Sequence, residues 1–400
     1  MRHDEQVRLI KQLCAHLDAG TTVDAGGVRR LPTRDYTDPE LAAREWAEFF
    51  LGSPQCVGLS GDLPEPGSFL TNNDLGVPIL ATRDQDGSFK AFVNSCRHRG
   101  ALVETEERGT KRRFACPFHA WTYDGGGALV GLPKADHFGA VDPACLGLRP
   151  LAAEERHGLL FVHPDPDATI DLDSHLGEWF NDELPTWHFG QLEPLTRDAY
   201  DTACNWKLAM DTFGETYHFS VLHKDTLFNG FHGNVQCHDE EGHLHRMILC
   251  RRDIDAMRLL PEEEWDLTVA GLPVYWLFPN VILMPFVAGC FLVRAYPDRT
   301  DPGRHLSRID FYVKPGFETD KPELKEFLAD IARGFAEIIR DEDYVMGASQ
   351  QLAARSGALE HVVFGRNEPT LHHYHNTYRA KLGLEALPLL EGEDERVPIG

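Results

Sequence analysis

The spacing of apolar positions changes several times along the chain, and each change predicts a different kind of element. Over residues 1 to about 45, Val7, Leu9, Ile10, Leu13 and Leu17 recur near helical spacing. A Gly/Pro/Arg-rich connector follows, then a second helix from Asp38 to Phe50 opened by Asp-Pro. From Val57 to about Pro164 the pattern becomes short β-type runs such as VPILATR and SFKAFVNS, broken by DQDG and DGGG, which predicts a small antiparallel β domain. An acidic stretch from Asp165 to Tyr200, with the helical segment DSHLGEWFNDELPTW, bridges into a second domain. There, residues 224 to about 315 alternate β-type runs with polar turns, and a long helix is expected from Pro322 to Ala354.

Composition narrows the function classes. The hydrophobic share of 42% and charged share of 26% are those of an ordinary globular protein, and 400 residues allow more than one domain. With 63 Asp and Glu against 39 Lys and Arg, the formal charge of -24 opposes binding to phosphate backbones or anionic lipid. Neither nucleic acid nor a membrane is expected as a partner. No apolar run reaches the roughly 18 to 20 residues of a membrane helix, and MRHDEQVRLIKQLCAHL lacks a signal-peptide core, so a cytoplasmic protein is expected. The 9 cysteines form an odd, scattered set, expected to be mostly reduced thiols.

Within the β region lies Cys96-Arg97-His98 and, after 17 intervening residues, Cys116-Pro117-Phe118-His119. Each half offers one thiolate and one imidazole from a tight inter-strand loop. Three readings compete: unrelated core and surface residues, a structural Cys2His2 zinc site, and a [2Fe-2S] cluster with cysteines on one iron and histidines on the other. Zinc fingers place a cysteine pair before a histidine pair, whereas here each half is mixed; the cluster accounts for the mixture directly.

The second constellation is NWKLAMDTFGETYHFSVLH, residues 205 to 223, with Glu215, His218 and His223 at its centre. Two imidazoles and a nearby carboxylate suit a six-coordinate first-row metal better than closed tetrahedral zinc. If Lys207 to Tyr217 is helical, Asp211, Glu215 and His218 share a face. The plain alternative is a solvated acidic helix with surface histidines.

The motifs CRHRG and CPFHAWTYDGGGAL resemble the Rieske domain of the non-haem iron ring-hydroxylating oxygenases, and Glu215-x-x-His218-x4-His223 resembles that family's mononuclear iron motif. The resemblance covers nearly the whole chain. Respiratory Rieske proteins carry an extra cysteine in each cluster loop, where this chain has Gly100-Ala101 and Phe118. Ala120 departs from the family's usual glycine, a small-for-small change expected to matter little.

The resemblance implies an α+β fold: a small antiparallel β Rieske [2Fe-2S] domain and a catalytic domain whose antiparallel sheet is covered by helices, helix-grip-like. Boundaries are expected at 1–45 for a helical arm packing on the catalytic domain, 46–165 for the Rieske domain and 166–400 for the catalytic domain. It further implies a cluster held by Cys96, His98, Cys116 and His119, and mononuclear Fe(II) held by His218, His223 and a carboxylate from the late helix. Glu215 would carry the electron path rather than bind iron.

For that third ligand the candidates are Asp341, Glu342 and Asp343. The stripe Ile331, Phe335, Ile338, Ile339 and Met346 puts Glu342 nearest the buried middle, whereas the resemblance selects Asp343. Asp343 is the choice made here. Arg294 is expected to face outward, His232, His238, His243 and His245 to form a solvated lid, and His372, His373 and His375 to be structural.

The implied activity is that of a terminal oxygenase component hydroxylating an aromatic or hydrophobic organic substrate with dioxygen. The alternatives are hydroxylation or demethylation of a quaternary amine, suggested by glutamate at 215, and a non-catalytic iron-sulfur electron carrier. The sequence contains no dinucleotide fingerprint, so electrons from NAD(P)H are expected through a separate reductase or ferredoxin. A homotrimer, with or without a small β subunit, is the assembly the family implies.

Overall fold

The computed structural model describes residues 1–316 and 321–390. It divides into two compact units, Ala47–Pro194 and Met1–Trp46 together with the chain from Leu195 onward. The chain opens in the second of these with α1 (His3–Ala19), β1 (Val28–Pro32) and α2 (Pro39–Glu45). Asp38 starts α2 as the sequence predicts: its carboxylate accepts from the amides of Glu40 and Leu41, and Pro39 occupies the first turn.

The β unit contains β2 (Gln55–Leu59), β3 (Ser68–Asn72), β4 (Ile79–Arg83), β5 (Phe89–Val93), β6 (Arg108–Thr110), β7 (Arg113–Ala115), β8 (Thr122–Asp124) and β9 (Leu129–Gly131). It is completed by β10 (Pro150–Leu151), β11 (Ala153–Arg156), β12 (Leu159–Val162) and α3 (Leu172–Glu183). Three antiparallel sheets form, ordered β10-β5-β4-β3-β6, β7-β8-β9 and β11-β12-β2. Their core gathers Phe69, Leu80, Phe92, Phe114, Trp121 and Tyr123 with the thiols of Cys96 and Cys116. The bridging helix α3 falls in this unit, so the division lies after Pro194 rather than near residue 165.

The other unit is built on a seven-stranded sheet, ordered β13-β19-β18-β17-β16-β15-β14. These strands are β13 (Glu193–Thr202), β14 (Phe231–Glu241), β15 (Leu244–Arg251), β16 (Gly271–Leu277), β17 (Val281–Phe286), β18 (Gly289–Pro297) and β19 (His305–Val313). Its helices are α4 (Trp206–Asp211), two single turns α5 (Ile254–Met257) and α6 (Leu267–Ala270), α7 (Pro322–Ile338), α8 (Tyr344–Arg355) and α9 (Pro369–Lys381). A small sheet pairs β1 with β20 (His361–Phe364) and β21 (Leu389–Leu390). No helix among the described residues is long and apolar enough to cross a membrane.

Several local expectations are corrected. The helix from Lys207 stops at Asp211, because Gly214 sits where a Cβ would come within 2.4 Å of Leu371 and the chain must turn to let α9 approach. Asp211, Glu215 and His218 therefore do not share a helix face. Arg294 is buried and paired with Asp310 inside the sheet, since a guanidinium facing inward can stay charged only with a partner. His238 and His245 are not in a solvated lid: both lie on paired strands, and His245 is 1% exposed and stacked on Trp276.

The helix α7 is also turned from the expected face. Leu328, Ala329, Ala332 and Ala336 are buried, whereas Ile331 is 50% exposed and Met346 on α8 43%. Small alanines form the close-packed side, so the buried arc is centred roughly a quarter-turn from the row of large residues. That rotation puts Asp343, not Glu342, on the inward side. Between α7 and α8 the backbone makes a π-helical turn over Ile339–Asp343, a local form often found at functional sites.

Candidate metal centres

The two cluster loops share one backbone plan. In the first, the Cys96 amide donates to the Ala101 carbonyl at 2.8 Å and the Gly100 amide to the Cys96 carbonyl at 2.9 Å. In the second, the Cys116 amide donates to Trp121 at 2.8 Å and the Ala120 amide to Cys116 at 2.9 Å. The closing residues, Gly100 at φ +78° and Ala120 at φ +57°, both occupy the left-handed region. There the Ala120 substitution matters more than its size suggests, because a Cβ is disfavoured at positive φ.

The loops bring the four residues together. The thiols of Cys96 and Cys116 are buried, the His98 and His119 rings are 4.7 Å apart, and His98 stacks on Trp121 at 5.1 Å. His98 Nδ1 is buried without a hydrogen-bond partner, an orphan that iron would satisfy. Tyr123 lies 3.4 Å from the Cys96 sulfur and accepts from the Arg97 amide at 3.0 Å. Burial, reinforced by Cys96, pushes its phenol well above the usual range, so the hydroxyl stays protonated and can donate to a thiolate. This donor set fits a [2Fe-2S] cluster.

The second centre joins distant segments. His218 and His223 follow α4, and Asp343 ends the π turn; one ligand atom from each lies within 4.8 Å of the others. His218 Nε2 is 3.5 Å and His223 Nε2 3.3 Å from Asp343 Oδ1. On the far side of each ring a second carboxylate holds Nδ1. Glu215 does so for His218 and also accepts that residue's amide at 3.1 Å, while Glu342 lies 2.6 Å from Nδ1 of His223 and accepts from Thr226 Oγ1 at 3.0 Å. Both imidazoles are thus held with Nε2 presented toward Asp343.

The charges agree with this geometry. Burial disfavours a charged His218, but Asp343 and Glu215 outweigh it and raise the group to about 9. His223 is raised in the same way by Asp343 and Glu342 against burial. Burial likewise opposes ionisation of Asp343, yet the two histidines hold its carboxyl below the usual range. A site this favourable to positive charge, with both Nε2 atoms facing Asp343, suits a divalent cation with open positions in place of protons.

Two cavities share Glu215, His218 and Asp343 in their walls. One, of about 50 Å3, has walls of Phe213, Phe219, Phe231, Met247, Met284 and Phe335, besides the trio and Glu215. The other, of about 640 Å3, is lined by Asp211, Glu215 and Glu368 together with Tyr36, Leu371 and Phe364. Sequence reasoning missed the holding role of Glu342 and the placement of Asp211, which accepts from the Tyr36 hydroxyl and pairs with His375 Nε2, both at 2.9 Å. It also missed the buried ion pair of Lys207 with Glu45. Partners so far apart in sequence leave no local signal.

Two candidate metal centres, one Cys2His2 and one histidine-carboxylate, match the donor sets of an iron-sulfur oxygenase. The family model for the Rieske [2Fe-2S] domain matches residues 53–146, and that for the ring hydroxylating alpha subunit catalytic domain matches 189–384. The carnitine monooxygenase oxygenase subunit of Acinetobacter baumannii is 26% identical over 357 residues, covering 87% of this chain and 89% of that protein. The biphenyl 2,3-dioxygenase subunit alpha of Rhodococcus jostii is 34% identical over 200 residues, 47% of this chain and 42% of that protein. The quaternary ammonium Rieske monooxygenase CntA, solved with an inhibitor, superposes with a TM-score of 0.76 at 21% identity, over 90% of this chain and 96% of that one. The chain belongs to the Rieske-type non-haem iron oxygenases, as an oxygenase alpha-type subunit. Its cofactors are a Rieske [2Fe-2S] cluster and a mononuclear iron.

Proposed function

We propose that this oxygenase hydroxylates a neutral aromatic or otherwise hydrophobic substrate, bound in the small cavity beside the mononuclear iron, as in degradation of aromatic compounds. The observation that carries the reading is the cavity wall: apart from Thr212, Glu215 and the trio, its residues are aromatic and aliphatic side chains, with no guanidinium or ammonium to hold a carboxylate. Arg294, buried within the sheet, is engaged by Asp310.

The residues proposed to hold the cluster are Cys96, His98, Cys116 and His119, and those proposed to hold iron are His218, His223 and Asp343. When bound, the cluster supplies single electrons and the iron activates dioxygen for insertion into the substrate. Glu215 and Glu342 keep the imidazoles oriented, and the apolar wall excludes water and aligns the substrate. Glu215 also opens into the large cavity, whose mainly apolar lining exposes Val221 at 76% and Val363 at 47%. We infer that this cavity receives the cluster loops of a second copy, where Arg99 lies over the exposed ring of Phe118, within a homotrimer fed by a separate reductase or ferredoxin.

A second reading is a quaternary amine. It is favoured by the carnitine monooxygenase relative, by glutamate at 215, and by Phe213, Phe219, Phe231 and Phe335, whose faces could hold a cation. Oxygen uptake with a surrogate reductase, followed by product analysis, separates the two. Hydroxylated products from neutral aromatics support the first; aldehyde or amine release from carnitine or betaine, with aromatics untouched, overturns it. Sedimentation of the active enzyme as a monomer would overturn the assembly.

A further inference from the structure

The small cavity is too tight for the substrate class it suits. An apolar cavity of about 150 Å3 admits benzene, and this one measures about 50 Å3. A ring seated within this cavity requires a wall residue to move.

The helix α7 shows which one. Its buried side is made by Leu328, Ala329, Ala332 and Ala336, yet a second apolar row runs along it at four-residue spacing: Phe327, Ile331, Phe335 and Ile339. Phe327 is 58% exposed and Ile331 50%, Phe335 is half-buried and Ile339 is 2% exposed. A row stepped by four residues drifts around a helix by about 40° each time, so it passes gradually from solvent to interior. Its inner members, Phe335 and Ile339, are cavity-wall residues. The Phe335 ring rests on Phe291 at 4.5 Å, and Phe291 in turn contacts Phe311 at 4.8 Å and Phe286 at 5.8 Å. Val287, at the tip of the β17–β18 hairpin beside Phe286, is 50% exposed. Apolar side chains thus run without a break in the four-residue row from the exposed flank of α7 to the cavity wall.

We propose that this row on α7 is the route by which a hydrophobic substrate reaches the iron, with Phe335 as its gate; the proposal rests on reading the small cavity as the substrate site. Phe335 swings away from the cavity over the Phe286, Phe291 and Phe311 rings, and the substrate slides past Ile331. A residue that acts only on the route changes association and dissociation together and leaves Kd unchanged, whereas a residue that merely shapes the wall changes Kd.

The test is stopped-flow and equilibrium binding of naphthalene to the iron-loaded holoenzyme. Ile331→Lys, an exposed change that should fold normally, is expected to slow both rate constants about tenfold with Kd within about twofold of the parent. Phe335→Trp is expected to slow both further. Parental rates in Ile331→Lys overturn the route. Leu249→Trp, which fills the cavity, should abolish binding; naphthalene held at the parental Kd in that variant overturns the cavity reading instead. A parent enzyme that does not bind naphthalene overturns both.

Discussion

The two metal centres reach comparable order by opposite means. The proposed cluster ligands lie within Cys96 to His119, on two loops with matching hydrogen bonds, so each loop is shaped by its own few residues. The proposed mononuclear site draws His218 and His223 from a turn cut short by Gly214 and Asp343 from a π turn some hundred residues later, and its imidazoles are held by Glu215 and Glu342. A locally built site tolerates distant change, while a site assembled across the fold carries every contact between its segments as a condition.

The sharpest way to break this comparison is to remove one centre at a time. Asp343→Ala should abolish turnover and lower iron from about three to about two per chain while keeping the visible spectrum of the cluster. Cys116→Ser should bleach the cluster. A bleached cluster in Asp343→Ala would mean that the centres are not independently built, and retained activity would move the ligand to Glu342. Next in size, Glu342→Gln should weaken mononuclear iron binding about 10- to 100-fold, measured by Fe(II) titration after selective chelation, with the cluster unchanged. Unchanged affinity would show that His223 is positioned without it.

Acid should separate the two regions more gently. Burial lowers His305 and His372 to about 4 and His245 well below its ordinary value, and all three lie in the unit holding the mononuclear site. A histidine whose folded pKa is depressed stabilises the fold above its unfolded value of about 6.5, and that contribution is lost as pH falls from there toward 4. The thermal transition of this unit should therefore drop across that window. His305→Asn should reduce proton uptake on unfolding near pH 5 by about one; an unaltered uptake would contradict the assignment. The smallest effect belongs to the cluster loop. Ala120→Gly should stabilise it by about 1 kcal/mol by relieving a positive φ, read as slower loss of cluster absorbance on heating.

Where sequence reading met its limits, the reasons are specific. The expected helix through Tyr217 failed because the close approach of Leu371 to Gly214 is a contact between segments over 150 residues apart. The stripe of large residues on α7 misplaced the buried face because alanines, weak signals in any hydrophobic pattern, make the tight contact. Choosing Asp343 over Glu342 needed the resemblance; the periodicity pointed the other way. Ala120 was legible as a substitution but not as a strained one, since φ is a property of the loop rather than of the residue.

The resemblance to a known family implied the α+β class; by itself the sequence determined the order of the β and mixed regions, the Cys96–His98 and Cys116–His119 loops and the His218–His223 pair. These follow from spacings of a few residues, where chain connectivity alone limits the geometry. Tertiary structure decided which carboxylate faces the histidines, which carboxylates hold them from behind, and that Arg294 and His245 are buried rather than solvent-facing. Those outcomes turn on burial and on the rotation of whole helices, set by packing between segments remote in sequence.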